Sequence, residues 1–481
     1  MHIANLDRLD AFMAEVLSAA RIPGAALAVV VGDETVFAKG YGYRDWARRL
    51  PMRADTRYPI ASTSKAMNST LLGMLVDEGR LSWDAPVQSY APAFLLQDPV
   101  RSAQVTARDL ITMRTGLPRH DWVWTGNSTT RADLFARLRY LELSAGLRER
   151  FQYNNLTTTA AGHVAELITG RTWEQLIQER LFDPLAMTSS GFSLPGHDNV
   201  TVSYHETERR ELVPTRRLPT EATAPSGGAI WSTVEDMGRW MSLNLRGGEQ
   251  DGRQLIQLRT LRELHATQIP IPPDPLARKP NASYAMGWTV DTYCGSSRIA
   301  HGGYIHDVDS EVTLFPEHGV GIVAFTNFGP VLPALLLNEH VFDLLRGVLP
   351  RTALSEQLAH YERCIEETRR RHAAVRRIGQ TSPSHMPEEY AGHYAHPGYG
   401  PMNIERCDAG LILLFNSLSL AMEHWHYDTW SFLDSGLFPI HQPHAFEPSN
   451  RVLFETNADG AVAALSVQFE PAVAPIRFVR R

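Results

Sequence analysis

The chain has little cysteine, no surplus of positive charge and no long apolar run, and each shortage removes a class of function. Cys294, Cys364 and Cys407 are odd in number and far apart, so they supply neither a disulfide framework nor a paired zinc-ligand set. The formal charge of −7 over 481 residues speaks against nucleic acid as the main partner, because neutralising phosphates needs a basic excess. Arg369, Arg370, Arg371, Arg376 and Arg377 do gather, but Glu362, Glu366 and Glu367 adjoin them, as on a solvated helix face. The longest early apolar run, residues 25–31, is only strand-sized, and the start has no basic flank before an apolar core. A soluble, cytoplasmic protein without a membrane partner is the expectation. The 19 histidines show no His-x-x-x-His spacing, so the sequence requires no metal and no cofactor.

What is present is an ordinary globular balance, 43% hydrophobic and 21% charged, in a chain too long for a single core. Ile3, Leu6, Leu9, Phe12, Met13, Val16 and Leu17 form a helical stripe over residues 3–20. Residues 25–31 and 35–41 read as a hairpin, 101–187 as a mainly helical region, and 233–246 as a further helix. Residues 284–292, 297–301, 310–315 and 319–326 read as strands of one antiparallel sheet, which the hairpin completes. A long helix follows residue 335, interrupted near Pro350, and residues 381–387 are linker-like. From residue 388 short strands are marked off by turns at Asp408 to Gly410, Asp434 to Gly436 and Asn457 to Gly460, the pattern of a small antiparallel β-barrel. The fold class is therefore α/β of the α+β type. An antiparallel sheet flanked by helices, with an all-helical region, occupies 1–350; a helix and linker occupy 351–386; the barrel occupies 387–481.

Chemistry is suggested first by Pro59-Ile60-Ala61-Ser62-Thr63-Ser64-Lys65, which opens a segment where Met67, Leu71, Met74 and Leu75 recur at helical spacing. At i and i+3, Ser62 and Lys65 share a face, close enough for amine and hydroxyl to hydrogen-bond. A serine hydroxyl needs a base to become a nucleophile, and burial makes a lysine one by disfavouring its charge. Two further polar clusters follow: Tyr153-Asn154-Asn155 ahead of an apolar helix, and His301-Gly302-Gly303 at the end of a predicted strand. Each alone is a common pattern.

In the order Ser-x-x-Lys, Tyr-x-Asn, His-x-Gly, the three motifs resemble those of penicillin-recognising serine hydrolases, in the branch holding class C β-lactamases, DD-peptidases, D-aminopeptidases and related esterases. The resemblance spans roughly residues 5–345. It extends to Ile22-Pro23-Gly24, Gly116-Leu117-Pro118, Pro225-Ser226-Gly227-Gly228 and Tyr284-Ala285-Met286-Gly287-Trp288. The tail is similar to the lipocalin-like barrel that some members append.

The resemblance implies a β-lactamase/transpeptidase-like fold and roles for particular residues. Ser62 is the acylated nucleophile, Lys65 and Tyr153 share its proton with the base left open between them, and Asn155 orients Lys65 and the substrate's amide. His301 stands where β-lactamases carry lysine. Gly302, Gly303 and Tyr304 continue the substrate-binding strand, and the N–H groups of Ser62 and Tyr304 form an oxyanion hole, typically worth about 3 kcal/mol per donor. A phenol with an ordinary pKa near 10 has to be depressed to act as a base, so Tyr153 is expected beside cations. Met113, where many members have histidine, reads as a packing position. Tyr304 and Asp307 are expected to narrow that side of the pocket, with His306 and Asp307 an exposed turn pair.

The implied function is an acyl-enzyme serine hydrolase cleaving amides of short peptides or amino-acid amides, D-configured ones included. A carboxylesterase or acyltransferase with the same site, and a non-catalytic penicillin-binding-like protein, are the alternatives. The partner is a small-molecule or short-peptide substrate, and a homo-oligomer is compatible. In the barrel, Trp425, Tyr427, Trp430 and Phe432 read as core. The turn Gly398-Tyr399-Gly400 reads as an exposed aromatic reaching toward the pocket mouth.

Overall fold

The computed structural model describes residues 1–194, 198–207, 211–273, 281–329, 334–349, 354–373, 376–408, 410–432 and 450–481. Its centre is a nine-stranded antiparallel sheet. The hairpin Gly24–Val31 and Glu34–Asp45 pairs through its first strand with Val320–Thr326 (Ala28 opposite Val323), followed outward by Val308–Phe315, Ser296–Ile305 and Thr289–Tyr293. Side chains alternate across the sheet. Ala25, Leu27 and Val29 face the helices Leu9–Ala19 and Ala334–Arg346, whereas Ala26, Ala28 and Val30 face the helix Val234–Leu245 and the helical region. The second core runs on without a break into the barrel.

Two sequence expectations are corrected by backbone detail. Residues 284–292 do not form one strand: Ser283–Tyr284 and Thr289–Tyr293 are separated by a turn in which Ala285 N–H donates to the Trp288 carbonyl (2.8 Å). Gly287 has φ +77°, and a Cβ there would come within 2.7 Å of the Lys65 carbonyl oxygen, so the turn exists to let the chain lie on the Ser62 helix. The strand expected to stop at His301 runs from Ser296 to Ile305, which puts the His-Gly-Gly motif inside the sheet.

The barrel is closed and eight-stranded, from Gly392–His396 through Ile476–Arg480, with Tyr394 pairing Arg480 across the seam. Met402, Ile404, Leu411, Leu413, Phe415, Leu418, Leu420 and Met422 alternate into its interior. Trp430 and Phe432 are core as expected, but Tyr427 is 56% exposed. Trp425 lies beneath the Arg377 and Arg451 guanidiniums. The turn at Asp434 to Gly436, Ala409 of the turn before it, and the helix interruption near Pro350 lie outside the described residues. The stretch read as helix and linker is bonded to the barrel: Arg377 donates to the Trp425 and His424 carbonyls, and Ser384 to Asp428.

Candidate active site

Ser62 sits in a 3-10 turn, Ala61–Thr63, that leads into the helix Ser64–Asp77. A 3-10 turn eclipses i with i+3. That brings the Lys65 amine to 2.9 Å from the Ser62 oxygen. Ala61 takes φ +50°, a costly conformation for a residue with a Cβ, and Gly227 and Gly303 explain what holds it. A Cβ on Gly227 would meet the Ala61 carbonyl carbon at 2.6 Å, and one on Gly303 would meet the Ile60 oxygen at 2.5 Å and the Ser62 nitrogen at 2.9 Å. Two glycine backbones thus clamp the nucleophile turn. The helix from Ser64 to Leu75 is buried on all sides, as a helix is when it runs through a core.

The second motif is placed by a cap. Asn154 is the N-cap of the helix Asn155–Thr169, its side chain accepting from Thr157 N–H at 2.8 Å and donating to the Pro118 carbonyl. Asn155 then opens the helix facing Lys65, whose amine donates to its Oδ1 at 2.7 Å and also to the Ser226 carbonyl. Tyr153 rests on Met113, Phe151, Tyr284 and Ile269, so Met113 is a packing position. Its phenol is hydrogen-bonded with Ser62, and its ring lies 4.8 Å from the Lys65 nitrogen.

Electrostatics separate the two candidate bases. The Lys65 amine is fully buried, its three partners are neutral oxygens, and Arg119 adds repulsion, so its pKa falls well below the ordinary lysine value. A neutral amine can still donate twice, to Asn155 and Ser226, while its lone pair faces the Ser62 hydroxyl proton. Burial pushes the Tyr153 phenol up to about 12, against the lowering effects of its bond to Ser62 and of Arg119. The expectation of a depressed phenol is therefore corrected: the Arg119 guanidinium does lie over the ring (4.9 Å), but desolvation outweighs it.

His301 is buried, with Nε2 3.0 Å from the Tyr284 hydroxyl and Nδ1 2.6 Å from the Gly302 carbonyl. A carbonyl only accepts, which assigns the proton to Nδ1 and leaves Nε2 to accept from Tyr284. Tyr284 keeps that proton, since burial raises its pKa far above the usual value. Gly302, Gly303 and Tyr304 follow on the same strand against the nucleophile turn, and the Tyr304 hydroxyl donates to Asp307. Asp307 and His306 are not an exposed pair. Asp307 is buried and accepts from Thr215 at 2.6 Å, and His306 accepts from Leu218 N–H at 3.1 Å with its pKa lowered to about 4 by burial. They fasten residues 215–218 to the turn between the strands Ser296–Ile305 and Val308–Phe315, beside the site.

The structure also brings in residues that the sequence reading passed over. Asp121 accepts from Asn155 Nδ2 (3.0 Å), Arg119 Nε (2.7 Å) and Trp124 Nε1 (2.7 Å). Ser226, Arg119, Asp121 and Tyr284 all reach the site across long sequence separations. Only Ser226 and Tyr284 carried a signal, inside stretches matching family landmarks. Among the described residues no group of His, Cys, Asp and Glu stands where it could hold a metal ion, and no described helix is long and apolar enough to cross a membrane.

A buried lysine on a serine, a tyrosine beside both and a glycine-bearing edge along the nucleophile turn define the penicillin-recognising class. The family model described as Beta-lactamase matches residues 9–344, and a domain of unknown function, DUF3471, matches residues 376–480. The chain belongs to the Beta-lactamase family. Similar curated proteins are hydrolases or members of unstated activity. An unguisins hydrolase of Aspergillus campestris is 28% identical over 83% of this chain and 78% of its own. One from Aspergillus violaceofuscus is 29% identical over 65% and 59%. Protein flp of Staphylococcus aureus is 25% identical over 66% and 62%. The fold matches that of the octameric penicillin-binding protein homologue from Pyrococcus abyssi over 99% of this chain and 100% of that one, with a TM-score of 0.65 at 20% identity. The chain is a hydrolase of this family.

Proposed function

We propose that the protein is a serine hydrolase working through an acyl-enzyme on Ser62 and cleaving amide bonds of short peptides or amino-acid amides. The observation that carries the reading is the fully buried Lys65 amine 2.9 Å from the Ser62 oxygen, its pKa held well below the ordinary lysine value by desolvation. Lys65 takes the hydroxyl proton as Ser62 attacks. Tyr153, protonated over the whole working pH range, is hydrogen-bonded with the same oxygen and is placed to pass a proton to the leaving group. An amide nitrogen leaves only when protonated, whereas an ester oxygen needs less help. A site that keeps a high-pKa acid beside the nucleophile therefore favours the amide reading over the esterase or acyltransferase. Asn155 holds Lys65 and meets the substrate's amide, and the N–H groups of Ser62 and Tyr304 receive the oxyanion. Gly302 and Gly303 let the substrate lie along the strand. His301, hydrogen-bonded with the Tyr284 hydroxyl through Nε2, shapes the pocket. The similar unguisins hydrolases support a hydrolytic activity, and the octameric neighbour supports a homo-oligomer.

The test is intact-mass analysis after incubation with D- and L-aminoacyl amides and matched esters. A single acyl adduct mapping to Ser62, with amides turned over, is expected. Ser62→Ala should stay folded and lose turnover by roughly a thousandfold or more. Parent-like turnover by that variant rules the mechanism out, and labelling with no turnover of any substrate favours the binding-protein alternative.

A further inference from the structure

Three consecutive residues, Arg119, His120 and Asp121, point two ways. Arg119 and Asp121 turn to the site, the first over the Tyr153 ring and the second onto Asn155. His120 between them turns into the barrel, which requires φ +46°, a left-handed conformation uncommon for a residue with a Cβ. It is fully buried there. Its Nδ1 is 2.7 Å from the Tyr399 hydroxyl, its backbone N–H donates to Glu470 Oε2 at 2.9 Å, and its Nε2 donates to the Glu142 carbonyl at 2.9 Å. With Nε2 the donor, Nδ1 accepts from Tyr399.

The barrel grips the following residues too. Trp122 stacks on Phe469 (5.0 Å between ring centroids), Asn416 donates to the Trp122 and Thr125 carbonyls at 3.1 and 2.8 Å, and Ser417 N–H donates to the Gly126 carbonyl at 2.9 Å. Tyr399 is thus not exposed: it is fully buried, one residue away in its contacts from those that touch the proposed proton-handling groups.

We propose that His120 is a positioning residue: seated in the barrel by Tyr399 and Glu470, it fixes Arg119 and Asp121 against Tyr153 and Asn155, so that the barrel governs the proton chemistry at Ser62. This rests on the reading of the Ser62 site given above. The groups facing Lys65 are Ser62, Tyr153 and Asn155, the Ser226 carbonyl, the Arg119 cation and the Asp121 anion. Arg119 acts on Lys65 more strongly than Asp121 does, and in the opposite sense. A strained left-handed turn keeps its geometry only while its surroundings over-determine it. Losing the Tyr399 bond lets the 119–121 turn relax, and the charge pair drifts from the amine.

The test compares full-length parent and Tyr399→Phe with p-nitrophenyl acetate and a peptide amide, rates being taken per active site counted by the acylation burst. The variant should lose about tenfold in kcat with KM within about twofold. Its acid limb should move to higher pH, because Lys65 relieved of the Arg119 cation holds its proton longer. Glu470→Ala should do the same by freeing the other bond to His120. Parent kcat and parent acid limb in both variants overturn the proposal. So does a loss explained wholly by fewer folded molecules, with the remaining sites showing the parent's limb. A parent that hydrolyses substrate without any adduct on Ser62 instead sinks the site reading, and this inference with it.

Discussion

Lys65 and Arg298 are both basic side chains with no exposed surface, and the fold shifts their pKa values in opposite directions. Arg298 faces two carboxylates: Asp291 takes its Nε and Nη2 at 2.7 and 2.5 Å, and Glu339 takes Nη1 at 2.6 Å. Its pKa is raised despite desolvation. Lys65 meets a hydroxyl, an amide oxygen and a backbone carbonyl, and its nearest carboxylate, Asp121, stands one residue back behind Asn155. Its pKa is lowered. Burial is equal, so the partner's charge decides the outcome. On one face of the sheet a paired charge joins the strand Ser296–Ile305 to the helix Ala334–Arg346; on the other an unpaired amine is left free to exchange a proton with its neighbour. Arg298 and His301 are three apart on one strand and so face opposite sides of the sheet.

That contrast breaks if the two basic groups can be exchanged in function. Lys65→Met keeps the length of the side chain and removes the base, so kcat should fall by roughly a thousandfold while the thermal midpoint moves only a few degrees. Turnover within tenfold of the parent would make Tyr153 the base. Arg298→Met is the converse. It strands Asp291 and Glu339 without a counter-charge, and should cost about 3–5 kcal/mol in denaturant unfolding, with kcat per folded molecule within about twofold of the parent. A large change in kcat together with parent stability would mean that the sheet face is no barrier between the two roles.

How far the molecule could be read beforehand follows the same division between local and distant. Ser62 and Lys65 are adjacent through one turn, and Asn154 places Tyr153 and Asn155 by capping its own helix, so each motif is local, and the resemblance of the three in order gave them their roles. Barrel strands announce themselves by alternation, as Leu411, Leu413 and Phe415 do. What was illegible depends on closure across the chain. Within the region read as mainly helical, the helix Ala107–Ile111 is only five residues long: Met113 turns left-handed and its carbonyl takes Gln152 N–H at 2.9 Å. The burial of Tyr399 depends on a histidine 279 residues earlier. Asp307 is buried because Thr215 reaches it, and the raised phenol of Tyr153 comes from how much protein surrounds it, which no residue near 153 reports.

The smallest effect is the sharpest on the charge of Lys65, because it needs no substrate. A lysine whose folded pKa is depressed binds its proton in the unfolded chain, where the pKa is about 10.4, but not in the folded one. Across the window between those two values the unfolded state holds the extra proton, so the stability of the parent rises with pH. Lys65→Met has no such group. The difference in unfolding free energy, parent minus variant, should therefore grow in the parent's favour by up to about 1.4 kcal/mol per pH unit as pH rises from neutrality, levelling off near pH 10. The constant offset from the amine's lost bonds to Asn155 and Ser226 drops out of the slope. A difference that stays level from pH 7 to about pH 9 would mean that Lys65 is as charged folded as unfolded. The contrast with Arg298 would then be one of geometry alone.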